Sequence, residues 1–223
     1  MEDKAVKGKN STWPGVGDYT NDPALAPQWD GSVVHESIPI LFPLELGKTV
    51  LDWGCGARGY WIRALNRLGY RGYGYDLNTP KGRKYFQTDL RKGPFPFGPK
   101  DFLICANVLQ YFDLREYSGQ LSQIFQNFTQ RAFIQTSDTR LMRSFDSQAQ
   151  SFVDPVWLAR QCMKQGGTAV VLQYLLDPYY TACGPSVYWI KDLARHDVWD
   201  ELCRILDKHQ ECWHDELFSI EVV

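Results

Sequence analysis

A chain of 223 residues suits one large domain rather than two. Apolar residues make up 44% and aromatics 14%, enough for a substantial core; this excludes a natively unfolded protein, and only residues 1–10 are polar and lysine-rich. The formal net charge of -2 excludes a domain that is basic throughout, although a local basic patch can sit inside a neutral total.

Residues 1–31, rich in Gly, Pro, Trp and Asn, read as an N-terminal arm or lid; 32–192 read as the core, and 193–223 as a C-terminal helix with an edge strand packed on it. Val33, Val34, Ile38, Leu41 and Phe42 have roughly helical spacing, interrupted by Pro39 and Pro43. A β-α alternation follows. Thr49 to Asp52 opens a strand, and Tyr60, Trp61, Ala64, Leu65 and Leu68 mark a helix that Gly69 ends. Arg71–Tyr75 is a second strand and Tyr85–Thr88 a short third. Phe102–Ala106 is a continuous apolar run, as expected of a strand buried on both faces. Apolar positions from Leu114 to Phe128 predict one amphipathic helix, and Ala132–Gln135 the next strand. Asp154-Pro155 supplies an N-cap and a first-turn proline for a helix ending at Gly166-Gly167. Thr168–Leu175 and Ser186–Ile190 read as a hairpin pair, followed by a helix carrying Val198, Trp199, Leu202, Ile205 and Leu206 and an edge strand over Leu217–Val222. Such alternation implies a doubly wound α/β domain: a mostly parallel seven-stranded sheet with one antiparallel edge strand, in three α-β-α layers.

None of the six cysteines stands in a CxxC, and Cys55 and Cys105 lie in apolar segments, so free thiols in a reducing, cytoplasmic setting are expected. No apolar run approaches ~18 residues, and the N-terminus lacks the apolar core of a signal peptide. No membrane partner is expected. Cys203, His209, Cys212 and His214 are zinc-competent but match no standard finger, and a regular helix would point Cys203 and His209 apart; no metal is expected.

The sharpest pattern is Val50-Leu51-Asp52-Trp53-Gly54-Cys55-Gly56-Ala57-Arg58-Gly59, a strand that runs through a glycine-rich turn into a helix. Twenty residues after Gly56 stands Asp76, ending the next strand, where a carboxylate can accept both hydroxyls of a ribose. This spacing fits a nucleoside cofactor. Gly54-x-Gly56-x-x-Gly59 also matches the nicotinamide fingerprint, which keeps an NAD-dependent oxidoreductase open. Asp52, just before the turn, would repel a pyrophosphate but suits the ammonium of an amino-acid-bearing sulfonium.

LDWGCGARG resembles motif I of class I S-adenosylmethionine-dependent methyltransferases, and GYDLN their acidic loop after the second strand. Gln87-Thr88-Asp89-Leu90 is similar to the segment that holds the adenine, and Asp101–Phe112 to the fourth-strand segment. The resemblance covers residues 40–192 and implies cofactor binding by Asp52, Gly54, Gly56, Asp76, Asp89, Leu90 and Asn107, with Asp89 facing the exocyclic amine and Leu90 packing on the ring.

Methyl transfer from a sulfonium is an in-line displacement that needs alignment and exclusion of water more than a general base. No obligatory catalytic residue is therefore implied; Asn107 and Tyr111 are the candidates. The aromatic Asp/Asn-Pro-Pro signature of amino-group DNA methyltransferases is missing after the fourth strand, as is a Pro-Cys nucleophile, so no DNA acceptor is expected. Asn107 stands where ribose 2′-O enzymes need an aspartate. What remains resembles small-molecule and RNA cap guanine-N7 methyltransferases, viral ones included. Trp13, Tyr19, Trp29, Tyr111, Tyr179, Tyr180 and Tyr188 can stack on a ring, and Arg140 and Arg143 can meet an anion; of these Tyr19, Tyr111, Arg140, Tyr179 and Tyr188 are expected to bind the acceptor.

Overall fold

The computed structural model describes residues 47–135, 151, 154–174, 186–191 and 218–222. Eight strands form one sheet: β1 (Thr49–Trp53), β2 (Arg71–Asp76), β3 (Tyr85–Gln87), β4 (Lys100–Ala106), β5 (Phe128–Gln135), β6 (Thr168–Tyr174), β7 (Ser186–Ile190) and β8 (Phe218–Val222), in the order β3-β2-β1-β4-β5-β7-β6-β8. The first five are parallel, with Leu51 opposite Tyr73 on one side and Leu103 on the other. β7 runs antiparallel between β5 and β6, and β8 runs antiparallel along the outer edge of β6. The doubly wound, mostly parallel α/β sheet of the sequence reading is therefore present; the antiparallel strand expected from the closing hairpin is β7, and β8 is a second antiparallel strand, at the edge. The hairpin partner β7 lies inside the sheet, because it folds back over β6 to pair with β5 as well.

Strand alternation sorts the core into two faces. Leu51, Trp53, Leu103, Cys105, Ala132 and Ile134 point to one side, under helices α2 (Tyr117–Gln126) and α3 (Pro155–Gln165). Val50, Phe102, Ile104 and Phe133 point to the other, where Ala64 and Leu65 of helix α1 (Tyr60–Arg67) cover the β1 end. Every one of these side chains is buried. At about 1.5–3 kcal/mol for a fully buried large apolar side chain, these two layers supply most of the drive to fold.

Two boundaries differ from the periodicity. Leu114–Glu116 forms a separate 3-10 turn that Asp113 and Glu116 cap reciprocally, leaving Leu114 51% exposed. Phe128 opens β5 instead of ending the helix, because α2 stops at Gln126 and Phe128 packs against Phe125 and Trp189. Asp154 caps α3 as expected, accepting from Trp157 N–H at 2.7 Å. No helix joins β3 to β4. Instead Phe95 and Phe97 fold over the sheet, Phe95 4.7 Å from the Trp53 ring and Phe97 stacked 5.1 Å from Tyr75. The Tyr75 hydroxyl accepts from Phe97 N–H at 2.7 Å, which fixes that loop beside the carboxyl ends of β1 and β2.

Cys55, Cys105 and Cys162 are free and buried, as expected of Cys55 and Cys105. Among the described residues no helix is long and apolar enough to cross a membrane, and no group of three or more His, Cys, Asp and Glu side chains is placed to hold a metal. The segments 1–46 and 192–217, with the arm, the expected helices and the Cys203–His214 cluster, lie outside the described residues.

Candidate cofactor site

The carboxyl ends of β1, β2, β3 and β4 lie side by side, and the sequence motifs converge there. The Gly54–Gly59 turn is pinned to β2: Gly54 and Cys55 N–H both donate to the Tyr75 carbonyl, at 2.8 and 3.0 Å. Its two first glycines have different work. At Gly54, φ is +91° and a Cβ would lie 2.2 Å from Val108 Cγ2, so this glycine lets the β4 loop close over the turn. At Gly56, φ is +63° and a Cβ would meet nothing within 4 Å. The backbone there faces open space, the condition for close approach by a ligand.

Gly56 N–H donates to Asp76 Oδ2 at 3.0 Å, and Asn78 N–H donates to Asp76 Oδ1 at 2.9 Å. The acidic loop and the glycine turn therefore form one surface. These donors do not fill the carboxylate, so Asp76 keeps acceptor capacity for a ligand hydroxyl. Burial raises the Asp76 carboxyl above its ordinary range, opposed by the N–H groups of Asn78, Gly56 and Leu77. Asp52 is 1% exposed, and its Oδ2 has no hydrogen-bond partner. Burial pushes its carboxyl well above the usual range, and the charge of Asp76 adds to that. Neither aspartate belongs to an ion pair among the described residues. A buried carboxylate with an idle oxygen is costly unless something cationic or hydrogen-bonding arrives.

β3 leads into the third part of the site. Thr88 N–H donates to the Asp76 carbonyl at 2.9 Å, and the Thr88 hydroxyl is buried without a partner. Asp89 is tied to its own turn, its Oδ1 accepting from Arg91 N–H at 2.9 Å and from Arg91 Nε at 3.2 Å. Leu90 is buried, and Gln120 of α2 donates to its carbonyl at 2.9 Å. After β4, Asn107 adopts φ +56°, rare outside glycine, and its N–H donates to the Gln135 carbonyl at 3.0 Å. Its Oδ1 is buried and unpartnered. Backbone in such a conformation, at the end of a strand and beside an orphaned acceptor, is a feature of ligand sites.

Tyr111 is half-buried in the 3-10 turn Leu109–Tyr111. Tyr188 stands opposite Phe133 in the middle of β7, 1% exposed, within the apolar layer on the α1 side. That burial puts it in the core, not on a surface that an acceptor can reach. Tyr19, Arg140 and Tyr179 lie outside the described residues. The periodicity did not single out Thr88, Gln110 or Gln120. Gln110 is fully buried with both amide atoms unpartnered, and its one sequence signal is a glutamine inside the apolar run Val108–Phe112.

A family model described as a methyltransferase domain matches residues 31–179. The chain belongs to the methyltransferase-domain family. No curated protein matches it. Among solved structures, a SAM-dependent methyltransferase from Archaeoglobus fulgidus aligns at 15% identity with TM-score 0.56, over 74% of this chain and 94% of that one. Magnesium protoporphyrin IX methyltransferase from Synechocystis, with bound SAM, aligns at 16% identity and TM-score 0.55, over 79% and 85%. Burkholderia thailandensis 1,6-didemethyltoxoflavin-N1-methyltransferase aligns at 18% identity and TM-score 0.52, over 78% and 80%. These likenesses show the class I methyltransferase fold. The methyltransferase is an S-adenosylmethionine-dependent enzyme, and the nicotinamide alternative is set aside. Its residues fit that cofactor: an orphaned buried carboxylate oxygen at Asp52, open backbone at Gly56, and spare acceptor capacity at Asp76.

Proposed function

We propose that the enzyme transfers the methyl group of S-adenosylmethionine to a nucleophilic nitrogen or oxygen of a small molecule or an RNA cap, by in-line displacement that proximity drives. The cofactor supplies a methyl group already activated on a sulfonium. The observation that carries the reading is the Asp52–Gly56–Asp76 surface, where two carboxylates that join no ion pair among the described residues flank a stretch of open glycine backbone. Asp52 answers an amino-acid ammonium, directly or through water, and Gly54 and Gly56 form the bend around it. Asp76 accepts from ribose hydroxyls through its free lone pairs. Leu90 packs on the adenine, with Gln120 holding its carbonyl, and the Asp89 oxygen not used by Arg91 faces the exocyclic amine.

Asn107 orients groups at the carboxyl end of β4 through its unpartnered amide oxygen, and Tyr111 lines the acceptor side. Tyr19 of the N-terminal arm, Arg140 after β5 and Tyr179 before β7 complete acceptor recognition. No general base is required when the acceptor is already a nucleophile, as guanine N7 is. The enzyme works in the cytoplasm, with its buried cysteines reduced. Incubation with methyl-labelled S-adenosylmethionine and a panel of heteroaromatic metabolites, beside a GpppN-capped oligonucleotide, tests this reading. Label is expected on one acceptor class and lost in Asp76→Ala. Label retained at wild-type level in that variant contradicts the assignment of the site.

A further inference from the structure

Charge is unevenly divided along this nearly neutral chain. Between Lys48 and Lys92 stand ten lysines and arginines against three aspartates; the rest holds fourteen against twenty-three. Two of the three aspartates, Asp52 and Asp76, have carboxyls raised by burial, and the third, Asp89, is paired with Arg91. Basic side chains therefore outnumber carboxylates in this stretch by more than three to one.

They are also gathered in space. Tyr85, at the start of edge strand β3, is the centre. Its ring lies against Gly59, the last glycine of the cofactor turn, where a Cβ would be 2.6 Å away. On the other side of the ring is Gly82, between Lys81 and Arg83. Arg63 hydrogen-bonds the Tyr85 side chain. Lys84 Nζ donates to Asn66 Oδ1 of α1 at 2.7 Å, which clamps the β2–β3 loop to that helix. Arg67 lies one turn beyond Arg63 on the same helix. Arg63, Arg67, Lys81, Arg83 and Lys84 are all exposed, and Arg67, Lys81 and Arg83 join no ion pair among the described residues. The strip thus starts at the lip of the cofactor turn and follows α1 for about 12 Å, from its eight residues at 1.5 Å each. It ends near Arg71, where Asp101 answers the charge.

We infer that this strip binds the phosphate backbone of single-stranded RNA and leads it to the methyl-transfer site. The inference deepens the methyltransferase reading by naming the class of partner. A row of cations with one embedded aromatic side chain, running away from an active site, suits a chain of phosphates in water. An anionic bilayer surface would also need apolar side chains that insert. The described large apolar side chains that are exposed, Leu114 and Trp157, stand with α2 and α3 on the opposite face of the sheet. DNA is disfavoured because the base-methylation signatures of DNA enzymes are missing after β4.

Fluorescence anisotropy of the full chain with a fluorescein-labelled 12-nucleotide uridine RNA, without cofactor, reads this binding. For about four phosphate contacts, log K is expected to fall with log salt at a slope of about -3. Arg67→Gln, Lys81→Gln and Arg83→Gln together should weaken binding about ten-fold or more at 50 mM salt and flatten the slope by about 2. S-adenosylhomocysteine affinity, measured on the same preparations, should stay within about two-fold, so failure of the strip and failure of the cofactor reading are separate results. The charge-keeping set Arg67→Lys, Lys81→Arg and Arg83→Lys should bind RNA like wild type. RNA affinity unchanged in the glutamine variant overturns the inference. So does tighter binding to a deoxyribose 12-mer, to polyglutamate or to phosphatidylserine vesicles than to the RNA.

Discussion

The residue that most sharply joins stability to function is Asp52. An unfolded aspartate ionises near its ordinary value of 3.8, whereas the folded Asp52 holds its proton to higher pH because it is buried, with Asp76 close by. Between those two values the folded chain binds more protons than the unfolded one, so ligand-free stability falls as pH rises and levels off above the folded value. Asp52→Asn removes that slope. At pH 7–8 the ligand-free variant should melt about 2–4 °C higher than wild type, the shift that about 1 kcal/mol gives in a chain of this size. It should also bind S-adenosylhomocysteine about ten-fold more weakly, having lost the charge that answers the ligand ammonium. Thermal melts from pH 5 to 8 with and without ligand check both; equal pH slopes in the two proteins would refute the assignment. Asp52 and Asp76 were legible in the sequence because an acidic residue before a glycine turn and another twenty residues after it have few other uses. Thr88, Gln110 and Gln120 were not, since a buried polar atom lacking a partner leaves no mark on composition or period.

At the scale of the element, the glycine turn separates two effects that one motif superimposes. Gly54→Ala drives a methyl into Val108 at a φ that side chains rarely adopt, so it should cost about 2–4 kcal/mol of stability. Gly56→Ala meets open space and carries only the left-handed backbone cost of about 1 kcal/mol. Its methyl fills the place left for the ligand, so affinity should drop ten-fold or more. Denaturant melts beside calorimetry of S-adenosylhomocysteine distinguish them; a Gly56→Ala protein that binds like wild type would place the ligand elsewhere. The same turn shows where periodicity reads well. The bounds of β1, α1 and β2 fall within a residue of the pattern: β1 is buried on both faces between its neighbours, and α1 buries Ile62, Ala64 and Leu65. The α2 boundaries did not, because Leu114 and Phe128 continue the helical spacing while serving a capped turn and a strand.

Across the whole molecule, the order β3-β2-β1-β4-β5-β7-β6-β8 brings the loops after β1, β2, β3 and β4 to one edge. The alternation of strands and helices made the doubly wound sheet legible. The insertion of β7 between β5 and β6 was not, since a hairpin fixes which strands pair but not on which side the second one continues. Nor did spacing reveal that Phe95 and Phe97 do a helix's work between β3 and β4, because two aromatics in a proline-rich loop have no period to detect. In the proposed arrangement the cofactor lies across the Gly56 backbone and the Asp76 carboxylate, which Gly56 N–H meets at 3.0 Å. Calorimetric titration of S-adenosylhomocysteine into wild type and Asp76→Ala tests this most directly. Wild type should bind with one site, and the variant should lose about 1–3 kcal/mol, the cost of leaving buried hydroxyls unpaired. Equal affinities in the two proteins, or no binding to either, would contradict the account.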